Sequence, residues 1–124
     1  MNRNTVLVVD DEKNYIDLVE IILRGMNDVG LIKFWVEKGH SLDNIESSIK
    51  DYNITHLITD FIMTPDLHGI IIIEKALELD ISAKNILLVS SADASNAARL
   101  NSVTFLRKPF TKQQIINWFV STIA

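Results

Sequence analysis

The sequence predicts one doubly wound α/β domain, a five-stranded parallel sheet with helices on both faces. Three observations carry that prediction. Short apolar runs rich in β-branched residues, such as TVLVV at 5–9 and NILLVS at 85–90, have no polar alternate positions, so they read as strands covered on both sides. Each run is followed by a segment whose apolar residues recur at helical spacing. The alternation continues to the last residue without a linker, repeat or low-complexity segment, so residues 1–124 read as a single domain with right-handed crossovers.

Taken in order, the first strand covers Thr5 to Val9. The next helix sets Tyr15, Leu18, Val19, Ile22, Leu23 and Met26 on one face, with Gly25 and Gly30 near its end. LIKFWV at 31–36 is the second strand, which puts Trp35 in the core. Ser41 caps a helix over LDNIESSIK with Leu42, Ile45 and Ile49 inward. HLIT at 56–59 is the third strand. A helix over 70–79 follows Gly69, and its isoleucines at 70–73 cannot all face inward, so one or two of them are expected to be exposed. NILLVS is the fourth strand, a weak helix spans 94–100, and VTFL at 103–106 is the fifth strand. Thr111 opens the last helix with capping-box spacing to Gln114, and Ile115, Ile116, Phe119, Val120 and Ile123 form its apolar stripe. Trp118 points away from the centre of that stripe, which makes it a candidate anchor for a partner or a second copy.

Composition removes several function classes. A chain of 124 residues, 48% hydrophobic and 23% charged, reads as soluble and globular. Its net charge of −4, with acids and bases interspersed, offers no patch for nucleic acid and no polybasic membrane anchor. The absence of cysteine excludes disulfides, thiolate catalysis and cysteine-ligated zinc. The first apolar run is too short for a signal peptide or a membrane span, so cytoplasm is the expected location.

Ligands of open parallel sheets bind beyond the carboxyl ends of the strands. There the first strand delivers Asp10 and Asp11, the third Asp60, and the fourth Ser90 and Ser91, while the fifth runs into Lys108 and Pro109. One strand-end aspartate is commonly a helix cap, but capping does not explain the whole set. Carboxylates this close repel one another and raise each other's pKa unless a cation lies among them. A donor set of oxygen alone favours a hard ion such as magnesium, which takes one or two carboxylates plus phosphate and water. The remaining acid is then free to act as a nucleophile toward phosphorus.

VLVVDDE, LITDFIM, LLVSS and FLRKPF, in that order and over nearly the whole chain, resemble the receiver domain of two-component response regulators, including its single-domain chemotaxis-type members. The resemblance implies a flavodoxin-like fold with strand order 2-1-3-4-5. It implies that Asp60 accepts a phosphoryl group from a sensor histidine kinase, a histidine phosphotransfer protein or a small phosphodonor. Asp11, Asp60 and the backbone carbonyl of Ile62 would ligate magnesium, and Asp10 would act through water. Lys108 would pair with the phosphoryl oxygens, Ser90 would hydrogen-bond to one of them, Phe105 would be the switching aromatic, and the bond before Pro109 would be cis. An output protein or domain, and possible homodimers, complete the implied partners. The residues two after the phosphoacceptor and two after the hydroxyl flank the path of hydrolytic water in this family. Here they are Ile62 and Ala92, which implies a slowly lost phosphoryl group.

Two departures stand out. Thr64 intervenes between Met63 and Pro65, lengthening the loop over the site by one residue, and the span from Ser90 to Lys108 is short enough to predict a short fourth helix. Two other functions fit less of the pattern. One is a receiver-like interaction module that works without phosphorylation. The other, a haloacid-dehalogenase-like phosphatase, needs a second aspartate where this chain has Ile62.

Overall fold

The computed structural model describes residues 4–26, 29–37, 39–64 and 67–123. In them strand and helix alternate from end to end: β1 (Asn4–Asp10), α1 (Lys13–Arg24), β2 (Val29–Trp35), α2 (Leu42–Asp51), β3 (His56–Asp60), α3 (Gly69–Glu78), β4 (Ile86–Ser90), α4 (Ser95–Leu100), β5 (Thr104–Arg107) and α5 (Lys112–Ile123). The sheet is parallel throughout with the flavodoxin-like order β2-β1-β3-β4-β5.

Neighbouring residues of β1 part to opposite sides. Val6 and Val8 join Ile16, Val19 and Ile22 of α1 and Ile115 and Phe119 of α5, while Leu7 and Val9 join Ile45 and Ile49 of α2 and Ile72 and Ile73 of α3. This is why no polar position interrupts the run. Truncating a side chain as buried as Leu7 costs about 2–5 kcal/mol.

Caps lie where the sequence places them. The Ser41 amide donates to Asn44 Oδ1 at 2.8 Å, the Thr111 amide donates to Gln114 Oε1 at 2.7 Å, and the Gln114 amide returns to Thr111 Oγ1 at 3.1 Å. The α4 helix has only six residues, and the Lys108–Pro109 bond is cis. Among the described residues no helix is long and apolar enough to cross a membrane.

Several expectations need correction. Trp35 is 46% exposed rather than core, because it ends an edge strand at the carboxyl edge of the sheet, where α1 is only beginning. Trp118 is buried rather than exposed, and the inward stripe of α5 is Ile115, Trp118, Phe119 and Thr122. Val120 and Ile123 face outward instead. Apolar residues occupy more than one face of this helix, and the inward face is settled by contact with His56 of β3, whose ring meets Trp118 edge-on at 5.8 Å. Gly30 lies within β2, and Ile70 and Ile71 are half-buried.

Candidate functional site

Strand register levels the acids. Asp10 pairs with Trp35, Asp60 with Val89, and Ser90 with Arg107, so Asp10, Asp60 and Ser90 end adjacent strands at one edge. The Lys108 amide donates to the Ser90 carbonyl at 2.8 Å, which aims the lysine back across that edge. Its ammonium lies 2.9 Å from Asp10 Oδ2, 3.3 Å from Asp60 Oδ1 and 3.4 Å from Glu12 Oε1. Asp10, Asp60 and Lys108 are all buried, so their charges interact with little screening by water.

The turn after β1 and the turn after β3 each give a backbone amide to their aspartate. The Glu12 amide donates to Asp10 Oδ1 and the Phe61 amide to Asp60 Oδ1, both at 2.9 Å. Gly69 lies so close to the β3 turn that a Cβ there would overlap the Asp60 carbonyl oxygen, and its own amide donates to the Phe61 carbonyl at 2.8 Å. That contact pins the far end of the longer loop. Within the loop Thr64 and Leu67 close on each other: the Leu67 amide donates to Thr64 Oγ1 at 3.0 Å, and the Thr64 amide donates to the Leu67 carbonyl at 3.0 Å. The Thr64 hydroxyl is thus engaged locally, and Pro65 lies outside the described residues.

Burial, reinforced by the Asp10 charge, pushes Asp60 up to about 7 against the pull of Lys108 and the Phe61 amide. Burial also raises Asp10, with Asp11 adding to the push and the Glu12 amide and Lys108 opposing it. For Lys108 burial pulls downward, but Asp10, Asp60 and Glu12 together outweigh it and hold the ammonium above the ordinary lysine value.

Asp10, Asp11, Glu12 and Asp60 each present a carboxylate oxygen, all within 4.8 Å of one another. The donors are hard oxygens, and one ammonium among four acids leaves a surplus of negative charge, which suits a divalent cation such as magnesium. Glu12 was not among the sequence-derived site residues. Its signal was present as the third acid of VVDDE, where a first-turn helix position is an equally good reading.

The other expected residues lie around this cluster. Ser90 is buried, and its Oγ accepts the Ala92 amide at 3.1 Å, leaving its own hydrogen free to donate. Phe105 is half-buried on β5 against the core on the α2–α3 side. The Ile62 side chain is 63% exposed. Two aromatics join the site from outside the expected set. The Trp35 indole nitrogen donates to the Asp11 carbonyl at 3.1 Å, and the Lys108 ammonium lies 4.1 Å from the centre of the Tyr15 ring.

No family model and no curated protein matches this sequence. Solved structures do share its fold. The chain is similar to the signal receiver domain of a modulated diguanylate cyclase from Desulfovibrio desulfuricans, with TM-score 0.80 and 14% identity over 98% of this chain and 94% of that one. It is similar to a response regulator receiver protein from Sinorhizobium medicae, with TM-score 0.76 and 23% identity over 97% of this chain and 94% of that one. A response regulator receiver domain protein from Clostridium thermocellum gives TM-score 0.76 and 20% identity over the same shares, 97% and 94%. The likeness at these identities is one of architecture, and the architecture is that of receiver domains.

Proposed function

We propose that this chain is a response regulator receiver in which Asp60 accepts a phosphoryl group and partner affinity changes as a result. The observation that carries the reading is the buried Asp10–Lys108–Asp60 arrangement at the carboxyl edge of a receiver fold, with negative charge in surplus. An Asp60 carboxylate oxygen attacks phosphorus, the bond from phosphorus to the donor's imidazole nitrogen breaks, and the histidine leaves as neutral imidazole after gaining a proton. With a small acyl phosphate the leaving group is the carboxylate instead.

Asp11, Asp60 and the Ile62 carbonyl would hold magnesium, with Asp10 behind them and Glu12 at the open side. Bound there, magnesium would neutralise charge on the phosphoryl oxygens. Lys108, 3.3 Å from Asp60 Oδ1, would follow that charge from Asp60 onto the new phosphoryl group, and the Ser90 hydroxyl would donate to it. Phe105, half-buried beside α4, is the residue whose ring would change place in the switched state. The implied partners are a histidine kinase or phosphotransfer protein on the input side and an output protein or domain, or a second copy, on the other.

The deciding experiment is intact mass after incubation with acetyl phosphate and magnesium. The expected result is one added phosphoryl group on the wild type and none on Asp60→Asn. An unlabelled wild type that still binds a partner would favour the phosphorylation-independent module.

A further inference from the structure

Lys108 has more holding it than its acids. Its side chain is 2% exposed, and its ammonium lies 4.1 Å from the centre of the Tyr15 ring, inside the range of a cation–π contact. Tyr15 stands in the first turn of α1, and its ring is braced on Phe110 at 5.4 Å, a tilted contact between α1 and the loop that carries Lys108. The ring face therefore approaches the ammonium from the α1 side while Asp10, Asp60 and Glu12 supply the carboxylates.

We propose that Tyr15 is a positioning residue for Lys108, its ring holding the buried ammonium at the site while Lys108 exchanges a carboxylate partner for phosphoryl oxygens. The inference rests on the receiver reading and adds a residue to it. A fourth carboxylate in this place would hold the ammonium more tightly, but it would compete with the incoming phosphoryl group for the same hydrogens. A ring face attracts the cation without accepting one of its strong hydrogen bonds, so the attraction persists whichever oxygens the ammonium faces. The ring also covers the ammonium with apolar surface on that side, which keeps its charge unscreened.

The test compares Tyr15→Leu, which keeps apolar bulk without a ring, with Tyr15→Phe, which keeps the ring without the hydroxyl. The first readout is the rate of acetyl phosphate labelling of Asp60 with saturating magnesium. Tyr15→Leu is expected to label roughly tenfold more slowly, and Tyr15→Phe to restore most of that loss. The second readout is the proton NMR shift of the Lys108 side-chain methylene next to Nζ, which the ring face should move upfield in the wild type and in Tyr15→Phe.

A wild type without that upfield shift overturns the proposal even if Tyr15→Leu does not fold. A Tyr15→Leu chain that labels as fast as wild type overturns this inference alone. Absence of any label on wild-type Asp60 overturns the receiver reading and this inference with it.

Discussion

His56 Nε2 lies 2.7 Å from Thr122 Oγ1, joining the start of β3 to the last turns of α5. Thr122 gives its own hydrogen to the Phe119 carbonyl at 2.6 Å, so it accepts from the imidazole. The other ring nitrogen, Nδ1, lies 2.8 Å from Thr55 Oγ1, and in the neutral ring it accepts the Thr55 hydrogen in competition with the Thr5 carbonyl, 3.1 Å from the same hydroxyl. Burial, helped by the Lys84 charge, pulls His56 down to about 4. A base whose folded pKa lies below its unfolded value of about 6.5 binds fewer protons when folded, so its contribution is complete above pH ~6.5 and is lost as pH falls toward 4. The contribution is about 3 kcal/mol at most. Urea unfolding of His56→Gln is expected to show less loss of stability on acidification than the wild type.

Asp60 acts in the opposite sense. Its folded pKa of about 7 lies above the ordinary 3.8, so the fold is undisturbed by this group at low pH and loses stability as pH rises through 7. Asp60→Asn is therefore expected to be more stable than wild type at pH 8 without divalent cations, by about 2 kcal/mol. The gain should shrink at pH 5 and on adding magnesium. Denaturant midpoints at the two pH values check it, and a variant no more stable than wild type at pH 8 would place the charge strain elsewhere.

Metal dependence should separate Asp11 from Glu12. Asp11→Asn is expected to lose both magnesium binding and labelling of Asp60, since it removes one of the carboxylates proposed to hold the ion directly. Glu12→Gln, at the exposed rim, is expected to bind roughly tenfold more weakly. Titration calorimetry with magnesium measures both, and equal labelling of Asp11→Asn in a chelator would refute the assignment.

Loss of the phosphoryl group should be slow. Ile62 and Ala92 offer no side-chain hydrogen bond to hold water, and the Thr64 hydroxyl accepts from the Leu67 amide at 3.0 Å and donates to the Leu67 carbonyl at 3.5 Å. Ile62→Asn and Ala92→Glu are each expected to hasten decay roughly tenfold, followed by mass after the donor is removed. A wild type that decays as fast as both variants would mean that Ser91 or another group positions the water.

Much of this architecture was legible because β1, β3 and β4 are buried on both faces, and apolar runs without alternation leave few other arrangements. The carboxyl-edge rule then brought Asp10, Asp60 and Lys108 to one edge before any distance was known. What escaped depended on three-dimensional neighbours. The stripe of α5 was ambiguous because Ile116, Val120 and Ile123 are as apolar as the residues that turn inward, and the choice depends on His56, more than fifty residues earlier in the chain. Trp35 misled because an apolar run does not reveal that its strand lies at the sheet edge. Tyr15 was legible as part of a helix face, but nothing at its position marks the ammonium it faces. Glu12 carried two equally good readings, and only the 3.4 Å approach to Lys108 distinguishes them.

The indole of Trp35, tied by its nitrogen to the Asp11 carbonyl while much of its ring meets solvent, makes the protein its own optical probe. Trp118 is enclosed beside His56 and Phe119, so its emission follows unfolding. Trp35 emission should instead follow occupancy of the neighbouring acids, and a paramagnetic ion such as manganese should quench it through proximity. In a Trp118→Phe chain the whole signal belongs to Trp35, and a manganese titration should quench it with a midpoint that Asp11→Asn abolishes. Occupancy of the acids is then read in the Trp118→Phe chain and integrity of the fold in a Trp35→Phe chain, each without an added label.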